Sequence, residues 1–190
     1  MSLSTTGHLR YRRPVTLDLR TLDDSDESAF LAGLRAWDGD DPSWHSFLWG
    51  DGLGWREMLE ILEREQRGVG LAPGRVPHTM LYAFVDGQIV GRCSVRHALN
   101  DHLRHRGGHI GYAVAPPFRQ RGHAGEILHQ GLAYCRDVLG LPSVLLTCDD
   151  DNAASWRTIE RAGGRLAGTA LDESGVKFRR YWIELPARPA

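Results

Sequence analysis

Apolar and polar positions change rhythm several times along the chain, and each change marks an element. Val15 to Arg20 alternates (Val, Thr, Leu, Asp, Leu, Arg), which predicts a strand. From Asp23 to Trp37 the residues Phe30, Leu31, Leu34 and Trp37 recur at helical spacing. Acidic residues crowd the first turn of that stretch, where the helix dipole favours them. Asp38 to Gly54 has no period and mixes Gly, Pro and Asp with Trp44, Phe47 and Trp49. Helical spacing returns from Trp55 to Arg67 through Trp55, Met58, Leu59 and Leu62, and the glycines and prolines of Gly68 to Pro77 predict a loop. Thr79 to Val85 and Gln88 to His97 are strand-like and flank Asp86-Gly87, a pair suited to a type I′ hairpin turn.

The second half continues in the same way. Asn100 to Gly108 is polar and predicts a loop, and His109 to Ala115 predicts a strand stopped by Pro116-Pro117. Gly122 to Leu139 carries Ala124, Ile127, Leu128, Gly131, Leu132, Cys135 and Val138 on one helical stripe. Ser143 to Cys148 is a short apolar strand. A helix follows from Asn152, a good N-cap, to about Ala162, and Gly163-Gly164 ends it. Strands at Arg165 to Ala170 and Lys177 to Leu185 close the chain. The order β, α, α, β, β, β, α, β, α, β, β predicts an α/β domain with a mixed sheet. Residues 1 to 13 are polar and are expected to form a frayed, flexible N-terminus, leaving 14 to 190 as one domain.

Composition narrows the class. The 190 residues carry a net charge of −1, with ordinary fractions of hydrophobic (42%) and charged (25%) residues. That balance gives no support to nucleic-acid or membrane binding as the main task. No apolar run reaches about 18 residues, and the first residues hold no apolar signal segment. Three cysteines, Cys93, Cys135 and Cys148, are too few for a disulfide framework and fit free thiols in a reducing cytoplasm. Lys177 is the only lysine among many arginines, which reads as a bacterial coding bias and not as chemistry.

The segment with the most chemistry is His109 to Ala124, HIGYAVAPPFRQRGHA. It reads as a strand, a Pro-Pro stop and a short loop that ends at a helix start. A helix start leaves amides without partners and adds partial positive charge, so it receives anions, and a pyrophosphate is a natural occupant. Gly122 permits close approach of the backbone. Ala124 is small, and Arg119 and Arg121 add charge-assisted donors. Arg119-Gln-Arg-Gly122-His-Ala124 resembles the (Q/R)-x-x-G-x-(G/A) signature of the GNAT acetyltransferase superfamily. Val144 to Cys148 is similar to that family's fifth strand. Asp151-Asn152-Ala-Ala-Ser155, followed by Ile159 to Gly164, is similar to its N-x-x-S…E-x-x-G helix.

The resemblance implies a central, mostly antiparallel mixed sheet flanked by helices, and acetyl transfer from acetyl-CoA to a primary amine of a small molecule or peptide. It implies that backbone at Ala113, Val114 and Ala115 pairs with the pantetheine arm, with an amide near Val114 polarising the thioester carbonyl. It implies further that the amides of Arg121, Gly122, His123 and Ala124 cradle the pyrophosphate beside Arg119. Asn152 would meet the pantetheine or the gap between the fourth and fifth strands, and Ser155 would lie near the thiol. A homodimer is common in the family.

Two departures bear on catalysis. Many relatives carry a Tyr seven residues after the Asn as general acid, and this chain has Ile159 there. Ser155, Tyr112 or Tyr181 are the candidates to replace it. Many relatives place a Glu base on the fourth strand, and His109 stands at or next to that place. Trp37, Trp44, Trp49 and Trp55 either line the acceptor pocket or pack the core. Other motifs read as structural. His102, His105 and His109 have metal-like spacing but no Cys or acid cluster joins them, so no metal is expected. Asp149, Asp150 and Asp151 read as helix-capping acids, Cys148 as strand packing, and Arg12, Arg13, Arg179 and Arg180 as a solvated face. Two other classes compete. A non-catalytic acyl-CoA-binding module would keep the loop and lack turnover. A dinucleotide oxidoreductase needs a G-x-G-x-x-G after a first strand, which is absent.

Overall fold

The computed structural model describes residues 16–37, 49–50 and 52–187. The expectations for residues 1 to 13, Val15 and Trp44 lie outside these residues. The elements in chain order are β1 (Asp18–Arg20), α1 (Glu27–Arg35), α2 (Trp55–Gln66), β2 (His78–Val85), β3 (Gln88–Arg96) and α3 (Asp101–His105). They continue with β4 (Ile110–Val114), α4 (His123–Asp137), β5 (Ser143–Asp149), α5 (Ala153–Arg161), β6 (Arg165–Leu171) and β7 (Lys177–Glu184). Asp86 and Gly87 both adopt positive φ (49° and 74°), as a type I′ turn requires between β2 and β3. The polar stretch after β3 is not all loop. Asn100 accepts a hydrogen bond from Leu103 N at 2.9 Å and caps the short helix α3, whose five residues carry no apolar period to announce it.

Two antiparallel sheets form, β1-β2-β3-β4 and β5-β7-β6. Alternation sorts their side chains onto two faces. On one face α4 and α5 cover a core that includes Cys93, Val95, Ile110, Val114, Ile127, Leu128, Val144, Leu146 and Tyr181. On the other, α1 and α2 close over Phe30, Met58, Met80, Tyr82 and Phe84. Trp49 and Trp55 complete this second cluster, with ring centroids 5.3 Å from Phe30. Arg20 fixes β1 to the turn before α1 through a two-pronged bond to Asp26 (2.6 and 2.8 Å), a geometry that suits a half-buried carboxylate pair.

The sheets meet at one point and then part. His109 N donates to Leu145 O at 2.7 Å, and Leu145 N donates to Nδ1 of the His109 ring at 2.9 Å. The imidazole thus takes a hydrogen bond that a strand carbonyl would otherwise accept. His109 O is engaged by Arg96 N at 2.7 Å, so it is not offered to β5. A single bridge, Gly108 to Leu146, is the only other backbone pairing between the sheets among the described residues. Gly108 lies at φ +63°, and a Cβ there would stand 2.2 Å from Leu145 O. Only glycine fits this apex.

Two outcomes test this apex. Gly108→Ala should lower the unfolding free energy by about 3 kcal/mol, as backbone strain and a main-chain clash combine. An unchanged urea midpoint would contradict the close approach. Burial pulls the His109 imidazole down to about 4 from its ordinary 6.5. The unfolded chain therefore binds more protons than the folded one between these values, and stability falls as pH drops from 6.5 to 4. His109→Gln, which keeps a side-chain acceptor but cannot titrate, should make that fall shallower in denaturant titrations at a series of pH values. His78, similarly held at about 4, and His97 and His123, both lowered by burial, contribute to the remaining slope.

Candidate active site

Beyond the apex, β4 and β5 run without a ladder between them. The register of β4 decides which main-chain groups face this gap. Ala115 N donates to Val90 O at 2.9 Å, and Arg96 N donates to His109 O. With Ala113 opposite Arg92 and Gly111 opposite Ser94, the odd-numbered residues of β4 turn their main chain to β3. The amides and carbonyls of Tyr112 and Val114 point the other way, into the gap. Of the three residues expected to offer main chain there, Val114 does so, whereas Ala113 and Ala115 are engaged by β3. Arg119 Nε donates to Val114 O at 3.0 Å and ties the loop after β4 to the strand end.

That loop delivers the chain to α4 through two left-handed residues, Gln120 at φ 61° and Gly122 at φ 87°. Gly122 is the N-cap and makes no side-chain cap bond. No hydrogen bond among the described residues takes the amides of Gln120, Arg121, Gly122, His123 or Ala124. A Cβ on Gly122 would meet no protein atom within 4 Å. An open run of amides at the positive end of a 15-residue helix is an anion cradle. Arg121 is exposed beside it, with its guanidinium 5.7 Å from the Phe118 ring centroid. His123 is held below its ordinary pKa by burial and by Arg121, so it is neutral near pH 7.

Across the gap, Asn152 caps α5 by accepting from Ser155 N at 3.0 Å. This engages its carbonyl oxygen locally and sets Ser155 in the first turn. The Tyr112 hydroxyl reaches from β4 to Ser155, 3.2 Å from Oγ and 3.3 Å from the carbonyl oxygen. Burial pushes the Tyr112 phenol up to about 12, so it stays protonated as a donor at neutral pH. Cys148 lies beside Ser155, and burial raises its thiol above the ordinary value. The structure therefore brings Tyr112, Ser155 and Cys148 together on the α4/α5 face.

Other expected participants are placed elsewhere. His109 is only 7% exposed and its Nδ1 is held by Leu145, so it has no free lone pair to act as a base. Tyr181 is fully buried, and its hydroxyl donates to Glu160 at 3.0 Å. Ile159 is core at 1% exposure. His105 bonds Leu171 O, and no group of three metal-type ligands occurs among the described residues. Asp149 pairs with Arg106, and Asp150 pairs with Arg179 and Lys177. These acids are neutralised by ion pairs and do not serve as caps. Arg179 and Arg180 are half-buried and not a solvated face, and Arg12 and Arg13 lie outside the described residues. Trp37 is buried at 2% exposure, and Trp49 and Trp55 pack the α1/α2 core. Sequence reasoning missed Arg92, which is fully buried on β3 opposite Ala113, and Arg96 four residues further on the same face. The period-2 pattern of β3 was their only signal.

Comparison with known proteins agrees with this geometry. No curated protein matches the sequence. Solved structures match over most of their length. The Salmonella typhimurium protein yncA, solved with acetyl-CoA, is 16% identical, with 92% of this chain and 96% of that chain covered and a TM-score of 0.58. Mycobacterium smegmatis RimJ, in complex with CoA-disulfide, is 22% identical over 88% of this chain and 81% of its own, with a TM-score of 0.62. RimL, a ribosomal L7/L12 alpha-N-protein acetyltransferase solved with coenzyme A, is 21% identical over 92% and 98%, with a TM-score of 0.60. The model of the acetyltransferase (GNAT) domain matches residues 16–165, and the chain therefore belongs to the GNAT acetyltransferase family.

Proposed function

We propose that this protein transfers an acetyl group from acetyl-CoA to a primary amine of a small molecule or peptide, by direct attack of the amine on the thioester. The observation that carries the reading is the run of unpartnered amides from Arg121 to Ala124, in the loop that follows the free end of β4 into α4. It suits the pyrophosphate of the coenzyme, with Arg121 adding charge and Gly122 leaving room. The amides of Val114 and Tyr112 face the gap beside the reacting carbonyl, where a main-chain N–H stabilises developing negative charge.

Ser155 is the donor to the departing thiolate. Tyr112 holds its hydroxyl and can resupply the proton, because a phenol held near 12 remains protonated at working pH. Tyr112 thus acts through Ser155, as a positioning residue. An alkylamine is neutral in about one molecule in 2,500 at pH 7, so the acceptor must lose a proton on binding. With His109 engaged by Leu145, that proton leaves to water. One observation favours a second reading, a non-catalytic acyl-CoA-binding module. The position of the usual tyrosine is Ile159, which is buried in the core. Acetyl-CoA binding without thiol release on any amine would select it.

Ser155→Ala should lower kcat about 100-fold with little change in the acetyl-CoA KM, and Tyr112→Phe should lower it less. Equal kcat for Ser155→Ala and the parent would remove Ser155 from the mechanism. Gly122→Asp should weaken acetyl-CoA at least about 100-fold through bulk and like charge at the pyrophosphate. Placing a side chain on the left-handed backbone of residue 122 should cost about 1 kcal/mol in stability, too little to unfold the protein. Calorimetry alongside thermal unfolding checks both effects. Unchanged affinity in that variant would sink the placement of the cradle.

A further inference from the structure

The half-buried arginines among the described residues divide into two groups. Arg20, Arg106, Arg136 and Arg179 each have a carboxylate within ion-pair distance. Arg96 and Arg180 are half-buried and have no carboxylate partner among the described residues. Both lie on the α1/α2 face, opposite the coenzyme cradle, on β3 and β7, the strands next to the β4 and β5 edges of the gap. Arg96 stands over Gly111 of β4. A Cβ on that glycine would be 3.2 Å from its Nη1 and 3.5 Å from its Nη2. Arg96 Nη1 donates to Gly107 O at 3.2 Å. Arg180, on β7 opposite Thr147, donates from Nη2 to Arg104 O at 2.9 Å, and its buried Nε has no hydrogen-bond partner. The two guanidinium groups therefore hold two carbonyls of one turn, residues 104–107, at the apex of the gap.

A half-buried guanidinium without a counter-charge is costly. Here two of them, with no carboxylate partner among the described residues, hold the same turn, beside a His109 ring whose pKa is depressed by burial and in smaller part by Arg104 and Arg96. The neighbouring acid, Glu65, is directed to Arg75 and His78 and does not reach Arg96. Carboxylates are the natural complement of such planar donors.

We propose that the acceptor is an amine that also carries a carboxylate, and that Arg96 and Arg180 receive this carboxylate while the amine faces the main chain of Tyr112 to Val114. The proposal rests on the acetyltransferase reading and names its substrate class. Gly111 and Val114 are about 10 Å apart along the strand, so amine and carboxylate must be separated by several bonds. This favours an ω-amino acid, or a short peptide with an acidic side chain near its amino end, over a free α-amino acid.

Initial rates of thiol release by the full chain decide it, using acetyl-CoA and matched acceptors. One arm compares ω-amino acids of increasing length with their primary amides. The other compares short peptides bearing Glu or Gln at the second position. At least one acid should exceed its amide about 30-fold in kcat/KM, and the arm in which it does so identifies the source of the carboxylate. Arg96→Gln and Arg180→Gln should raise KM for that acid and leave the amide's KM nearly unchanged. Arg96→Lys should restore part of the preference. Acetyl-CoA affinity measured on each variant reports whether it folds, and the acid–amide comparison on the parent protein needs no variant. Amides turned over as well as acids would overturn the proposal and leave acetyl transfer standing. Acetyl-CoA binding with no turnover of any acceptor would overturn the acetyltransferase reading, and this proposal with it.

Discussion

The hydrogen bond from Leu145 N to the His109 ring is the constraint on which the rest of the site depends. Two neighbouring strands normally exhaust each other's amides and carbonyls. Here an imidazole nitrogen takes the amide that β4's main chain would have answered, and the His109 carbonyl is turned to β3. The strands are joined at that point and have no reason to zip further. Everything functional follows from the parting. The main chain of Tyr112 and Val114 is left facing a gap, the loop after β4 brings an open helix end to its wide side, and α5 presents Ser155 to Tyr112 across it. A histidine serves this position because one nitrogen can accept while the ring stays uncharged, and burial ensures that it does.

The two faces of the gap have different electrostatics. The α4/α5 face offers main-chain dipoles, a helix start and neutral hydroxyls, which suit an anion whose phosphates remain near solvent. The α1/α2 face carries guanidinium groups on β3 and β7, and a separate aromatic cluster of Phe30, Trp49, Trp55 and Tyr82 under α1 and α2. An incoming ammonium ion is disfavoured on such a face, whereas a neutral amine is not. On the proposed substrate reading, the same field would also help the acceptor lose its proton.

Much of this was legible in the sequence because it depends on short-range physics. Asp86-Gly87 requires positive φ at both positions, and Asn152 needs only the amide of Ser155 three residues on. The cradle is written in Arg119 to Ala124, since a glycine before a helix creates it locally. What could not be read depends on tertiary choices. Nothing in the alternation of His109 to Ala115 says which set of amides faces β3, so Ala113 and Ala115 looked as available as Val114. His109 reads equally as a base or as a bonded ring until Leu145 is placed beside it. Arg179 and Arg180 are adjacent in sequence and alike in type. Only the sheet shows that one meets Asp150 and the other meets none of the described acids. Helix α3 was missed because five residues with a single apolar position, Leu103, carry no period, and its cap, Asn100, is common in loops as well.

The central claim is that the parted strands and the α4 cradle form a site for an acyl-CoA. Calorimetric titration of the purified protein with acetyl-CoA, with NAD⁺ as a control that shares the adenosine pyrophosphate but carries less negative charge, tests it most directly. The account predicts a single site with a micromolar dissociation constant for acetyl-CoA and no heat from NAD⁺. Equal affinity for both would reduce the cradle to a generic pyrophosphate site. No binding of acetyl-CoA would contradict the account.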